Sequence, residues 1–315
     1  MKKVKGKSIK ENPNFGTIIA LILLVVIVSI LNSNFLQVSN LMNLLRQLII
    51  NGFIALGMTC VILTGGIDLS VGSTLAFTSA IFASLLNNGL NPILAILLAV
   101  IIGGGLGFIN ALFITKSKLE PFIVTLATMT IYRGATLVFT KGRPIPGPRD
   151  NFIFAFLGRG KVFGIPFQVI LFAIIFVILM LILGKTSFGR KVYAIGGNEK
   201  ASFISGIKID KVKTMVYTMS GVLATISGLV LTSRLNSAQP TAGAAYEMDA
   251  IAAVVLGGTS MTGGSGSLVG TLIGILILGV LNNGLNLLGV SSFYQQIVKG
   301  VVILIAVLID RKRNK

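Results

Sequence analysis

Apolar residues fall in ten long blocks separated by short polar turns over almost the whole chain. A helix needs about 20 apolar residues to cross the hydrocarbon core of a bilayer. On that measure the blocks at 17–31, 44–64, 69–86, 92–115, 121–140, 167–184, 214–234, 249–262, 268–288 and 293–309 predict ten transmembrane helices. The second, third and eighth have the least sharp bounds, and Gly257-Gly258 interrupts the eighth. The pattern predicts an all-α polytopic membrane protein, a single transmembrane domain over 1–315.

Composition supports the pattern. Apolar residues make up 54% of the 315 and charged residues 11%, against about 25% charged in an ordinary globular chain. The net charge of +18 is explained by where it sits. Eighteen of the 27 Lys and Arg fall at 1–10, 116, 118, 185–213 and beyond 310, whereas five fall at 141–161. Cytoplasmic loops carry that excess, so both termini are expected inside. The cytoplasmic parts are then a tail at 1–16, a loop at 185–213 and a tail at 310–315, with an external loop at 141–166. Long basic runs with interleaved aromatics are absent, as is Trp, so nucleic acid is not an expected partner. Histidine is also absent and Cys60 is the only cysteine. That excludes internal disulfides, thiolate or imidazole metal sites and His-dependent triads. Residues 29–34 offer no small-x-small cleavage site, so the first block is expected to stay as a helix.

The loop at 185–213 is the most structured polar stretch. Gly196-Gly197 are expected to break the helix leaving the membrane. Asn198 is a good N-cap, and Glu199 then sits at the positive end of the helix dipole. Ala201, Ile204 and Ile207 recur at spacing three, so one face is apolar, and Gly206 fits as terminator. A helix of about two turns over 198–205, capped and with an apolar stripe, reads as a docking element.

The run Thr186-Ser-Phe-Gly-Arg190-Lys-Val-Tyr193-Ala-Ile-Gly-Gly-Asn-Glu-Lys-Ala201, continuing to Ser205-Gly206-Ile207, resembles the cytoplasmic coupling loop of bacterial ABC sugar-importer permeases. The match is to the ribose-type branch, which includes xylose, galactose and autoinducer permeases. Three further stretches agree: Gly65-Gly-Ile-Asp68-Leu-Ser70-Val-Gly72-Ser; Asp249-Ala-Ile-Ala-Ala-Val-Val-Leu-Gly-Gly-Thr259 with Gly263-Gly264-Ser-Gly266; and Gln296-Ile-Val-Lys299-Gly300. The resemblance implies a multi-pass permease of the bacterial inner membrane that moves a monosaccharide, ribose first, by alternating access. It implies a second permease copy, a cytoplasmic ATPase carrying ATP and Mg, and an extracytoplasmic sugar-binding protein. It places ATPase coupling at Asn198, Glu199, Ala201, Ile204, Ser205 and Gly206. No catalytic residue and no cofactor is expected in this chain. Gly184-Lys185-Thr186 imitates the second half of a P-loop, but Leu179 stands where the first glycine is required. ATP chemistry must therefore be borrowed.

Candidate pathway or gating residues are Asp68, Arg133, Asp249 and Lys299, because ionisable groups inside a membrane are functional by default, together with Ser70 as the polar neighbour of Asp68. Each also has a structural reading. Asp68 can cap the helix that follows it, and Arg133, Asp249 and Lys299 can snorkel or pair between helices. Gly103, Gly104, Gly105, Gly107, Gly221 and Gly228 are expected to let helices approach closely. The alternative function is an ion- or proton-coupled secondary transporter of a small polar solute, which would carry acids near mid-membrane.

Overall fold

The computed structural model describes residues 15–313. Most of the expected tail at 1–16, and the last two residues of that at 310–315, lie outside them. In chain order the helices are α1 (Phe15–Leu31), α2 (Val38–Leu63), α3 (Val71–Asn87), α4 (Pro92–Thr115), α5 (Pro121–Thr140), α6 (Phe152–Arg159) and α7 (Phe167–Lys185). They continue as α8 (Ser187–Gly197), α9 (Glu199–Ile204), α10 (Ile209–Leu235), α11 (Tyr246–Leu256), α12 (Leu268–Leu287) and α13 (Ser292–Arg313). A 3-10 helix (Ser33–Leu36) and four two-residue strands complete the set: β1 (Ile145–Pro146), β2 (Lys161–Val162), β3 (Ile165–Pro166) and β4 (Ser237–Ala238). β1 pairs antiparallel with β4, and β2 with β3.

In hydrocarbon the backbone must satisfy its own hydrogen bonds, which is why apolar runs become helices. α2, α4, α5, α7, α10 and α12 are long and apolar enough to cross a membrane, while α1, α3 and the Ser292–Ile305 part of α13 are apolar but shorter. The fold is therefore all-α and polytopic. Helix starts follow local chemistry. Pro92 and Pro121 occupy first-turn positions, and Asn91 accepts the Ile93 N–H at 2.9 Å. Ser267 caps α12 by accepting the Gly270 N–H at 3.0 Å.

α2, α10 and α12 form the interior, whereas α4, α5 and α7 turn large apolar side chains such as Phe108, Leu126 and Ile178 outward. α10 packs against α2, α3 and α4. Its approach to α4 depends on Gly103, Gly107 and Gly221, where an added Cβ would meet the facing backbone. In the segment between α5 and α7, Asn151 caps α6 by accepting the Phe154 N–H at 2.9 Å, and the proline-rich entrance holds β1.

Three expectations need correction. The eighth block does not form one span over 249–262. α11 ends at Leu256 and its 11 residues rise only about 16 Å, after which the chain turns at Gly257-Gly258. Gly196-Gly197 do not break the helix, because α8 runs through both and stops at Asn198. Finally, α9 is one and a half turns rather than about two, so Ile207 lies beyond it. The chain turns left-handed at Gly206 (φ +79°), the expected terminator, before entering α10.

Candidate functional site

The polar loop folds as two short helices at the membrane exit of α7. Asn198 Oδ1 accepts the Ala201 N–H at 2.9 Å, and Ser205 Oγ donates to Ala201 O at 2.9 Å. Glu199 takes the Lys213 ammonium at 2.8 Å, which ties α9 to the first turns of α10. The expected apolar face is present but differently composed. Phe203 and Ile204 project with 71% and 84% exposure. They border a cleft of about 1650 Å³ that continues to Lys116 and Lys118 at the α4–α5 turn and to Met215 on α10.

Behind this surface three glycine pairs converge. A Cβ on Gly196 would collide with Leu63 O and with Gly264 N, and one on Gly263 would lie 2.9 Å from Gly65 N. Gly264 N donates to Leu63 O at 3.1 Å. Tyr193 adds a side-chain tie, its hydroxyl donating to Gly266 O at 3.1 Å. Burial pushes the Tyr193 hydroxyl above its ordinary pKa. The end of α8 is thus fastened to the segment leading into α3 and to the segment leading into α12.

The first of those segments carries Asp68 and Ser70, which the structure brings together. Asp68 is 1% exposed. Its Oδ1 accepts from the Ser70 hydroxyl at 2.7 Å and the Ser70 N–H at 3.1 Å, and its Oδ2 accepts from the Ser220 hydroxyl at 2.8 Å. Ser70, not Asp68, is the N-cap of α3; Asp68 instead orients the cap residue through an Asx turn. Asn110 on α4 donates to Ser70 Oγ at 2.8 Å, and the Tyr132 hydroxyl on α5 shares its proton between Leu106 O at 3.0 Å and Asn110 Oδ1 at 3.2 Å, both on α4. A buried polar chain therefore joins α3, α4, α5 and α10. Sequence reasoning missed Ser220, Asn110 and Tyr132, although Asn110 is the one amide side chain inside the block 92–115.

Arg133, Asp249 and Lys299 do not join this network. Arg133 Nη1 donates to Pro240 O at 2.7 Å and Ala242 O at 2.8 Å, holding the loop between β4 and α11. Lys299 Nζ lies 2.9 Å from Asp249 Oδ2, which also accepts from Asn51 Nδ2 at 3.1 Å. That ion pair links α13, α11 and α2. Among the described residues, no group of three or more His, Cys, Asp or Glu could hold a metal ion.

A family model described as branched-chain amino acid transport system / permease component matches residues 40–307. The ribose import permease protein of Bacillus subtilis (strain 168) is 62% identical, over 95% of this chain and 93% of its own. That of Haemophilus influenzae (strain ATCC 51907 / DSM 11121 / KW20 / Rd) is 52% identical, over 97% and 94%. A probable ABC transporter permease protein of Escherichia coli (strain K12) is 37% identical, over 98% and 91%. No solved structure matches. The apolar helices and these relatives make the chain a multi-pass protein of the bacterial inner membrane, a transport component and not an enzyme. It belongs to the branched-chain amino acid transport system / permease component family.

Proposed function

We propose that this chain is the membrane subunit of an ATP-binding-cassette importer that moves a monosaccharide, ribose first, by alternating access. The observation that carries the reading is the identity of 62% and 52% to two ribose import permeases, over at least 93% of each protein and of this chain. ATP and Mg belong to a separate cytoplasmic ATPase, and an extracytoplasmic sugar-binding protein delivers the solute. Two permease copies form the unit. The alternative of an ion-coupled secondary transporter draws no support from these relatives.

In this reading the chain passes the membrane ten times with both termini cytoplasmic. The third and eighth passes each combine a helix, α3 or α11, with an irregular segment preceding it. α9 is the coupling helix. Phe203 and Ile204 enter the ATPase, Asn198 and Gly206 fix the two ends of the helix, and Glu199, Ala201 and Ser205 shape its surface. Displacement of α8 and α9 would pass through the glycine junction to Asp68 and Ser70, and so to α3 and α10.

Reconstitution of the permease with its ATPase and binding protein tests the proposal. ATPase activity across a panel of pentoses and hexoses should rise most with ribose. Uptake by the permease alone, driven by a proton or sodium gradient, would overturn it.

A further inference from the structure

The loop between β4 and α11 descends far into the molecule from its outer end. At the top, β4 pairs with β1, and Asn87 Nδ2 donates to Pro146 O at 2.9 Å, so the end of α3 shares that level. Gly72, at the other end of α3, lies about 22 Å below Asn87 at 1.5 Å per residue. Gly243 packs backbone to backbone against Gly72, where a Cβ on either residue would collide with the other's carbonyl oxygen. The loop has therefore dropped about two thirds of a hydrocarbon core some 30 Å thick before α11 begins.

At that depth part of the loop is uncovered. Thr241, Ala244, Ala245 and Met248 are exposed, and Ala245 is left-handed (φ +65°) with no side-chain cap on α11. Lipid does not tolerate irregular backbone with open polar groups. Such backbone occurs at membrane depth only where protein covers it or where it lines water. Arg133 stands beside it, half-buried. Both of its bonds use Nη1, and Nη2 and Nε donate to no described residue. Burying three open guanidinium donors against a second copy of the chain would be costly without acceptors to meet them. Water and hydroxyl groups supply acceptors freely.

We propose that loop 241–245, together with Arg133, lines the aqueous route of a neutral, hydroxyl-rich solute. Solute hydroxyl oxygens accept from the open edge of Arg133, and solute hydroxyls donate to the carbonyls of the exposed Thr241 and Ala244, since those of Ala242, Gly243 and Ala245 already accept bonds. The inference rests on the transport reading above and names the surface that the solute meets.

Single-cysteine labelling tests it. Cys60 is the only native cysteine and is fully buried, so Ala244→Cys or Thr241→Cys provides one reactive thiol at an exposed position. The full complex is placed in liposomes and treated with a charged, membrane-impermeant methanethiosulfonate. Leu126→Cys, on the outward apolar face of α5, serves as the lipid-facing reference. Both loop thiols should react from water, and adding ribose with binding protein and ATP should slow the reaction. Two results would overturn the route: reactivity no greater than that of Leu126→Cys, or unreactive thiols that join two permease copies by a disulfide. Labelling from water without a ribose effect, but with slowing by another sugar, would support the route and count against ribose alone.

Discussion

The Ser220 hydroxyl donates to Asp68 Oδ2 at 2.8 Å, joining the middle of α10 to the segment that starts α3. Each of the two Asp68 oxygens has a hydroxyl donor, from Ser70 or from Ser220. A buried carboxylate is tolerable only when so satisfied. Ser220→Ala should therefore lower stability by about 1–3 kcal/mol, the cost of leaving a buried group short of a partner. Thermal unfolding of the purified protein in detergent reads the loss. An unchanged midpoint would show that the contact carries no weight.

The glycine junction yields a matched pair of substitutions. Gly196→Ala drives a methyl group into Leu63 O and Gly264 N, whereas Gly197, next in the chain, has open space at its Cβ position. Gly196→Ala should cost about 1–3 kcal/mol as overpacking and reduce sugar-stimulated ATPase activity in the assembled complex. Gly197→Ala, also within α8, should be neutral or stabilising by up to about 1 kcal/mol. Equal effects from the two would remove the junction's role.

Glu199→Lys separates coupling from folding. The Glu199 side chain is 52% exposed and its bond to Lys213 is a surface ion pair, worth about 0–1 kcal/mol. Stability should barely change while sugar-stimulated ATPase activity falls. Normal stimulation in the Glu199→Lys complex would remove α9 from the coupling path.

Lys299 and Asp249 form a partly buried pair, 28% and 15% exposed. Lys299→Met leaves Asp249 with Asn51 as its side-chain partner among the described residues and should destabilise by about 2–4 kcal/mol, the scale of an orphaned buried charge. Adding Asp249→Leu should recover part of that loss. Denaturant midpoints of the single and double variants decide it; additive losses would mean that the two residues act independently.

Where local chemistry sets an element's ends, the sequence was sufficient. The blocks 92–115 and 121–140 match α4 and α5 residue for residue, because Pro92 and Pro121 fix the starts and polar turns follow Thr115 and Thr140. α9 was legible for the same reason, through Asn198 and Gly206. Tertiary contact decided the rest. Gly196 and Gly197 look like helix breakers in isolation, but Gly196 is small so that α8 can lie on Leu63 and Gly264. Arg133 looked like a snorkelling or pairing cation, yet it is bound to carbonyls more than a hundred positions away. No period or cap signal encodes such a partner. The exposed aromatic of α9 was also overlooked, since Phe203 falls off the spacing-three stripe that drew attention to Ala201 and Ile204.

The glycine junction has a mechanical consequence. Side chains that carry load can yield by changing rotamer, and ionic contacts soften as salt screens them. Where Gly196, Leu63 and Gly264 meet, main chain presses on main chain, leaving no rotamer to relax and no charge to screen. The joint is therefore stiff and indifferent to ionic strength. If α9 couples as proposed, compliance must come from its exposed surface, where side chains such as Phe203 and Ile204 remain free to change rotamer.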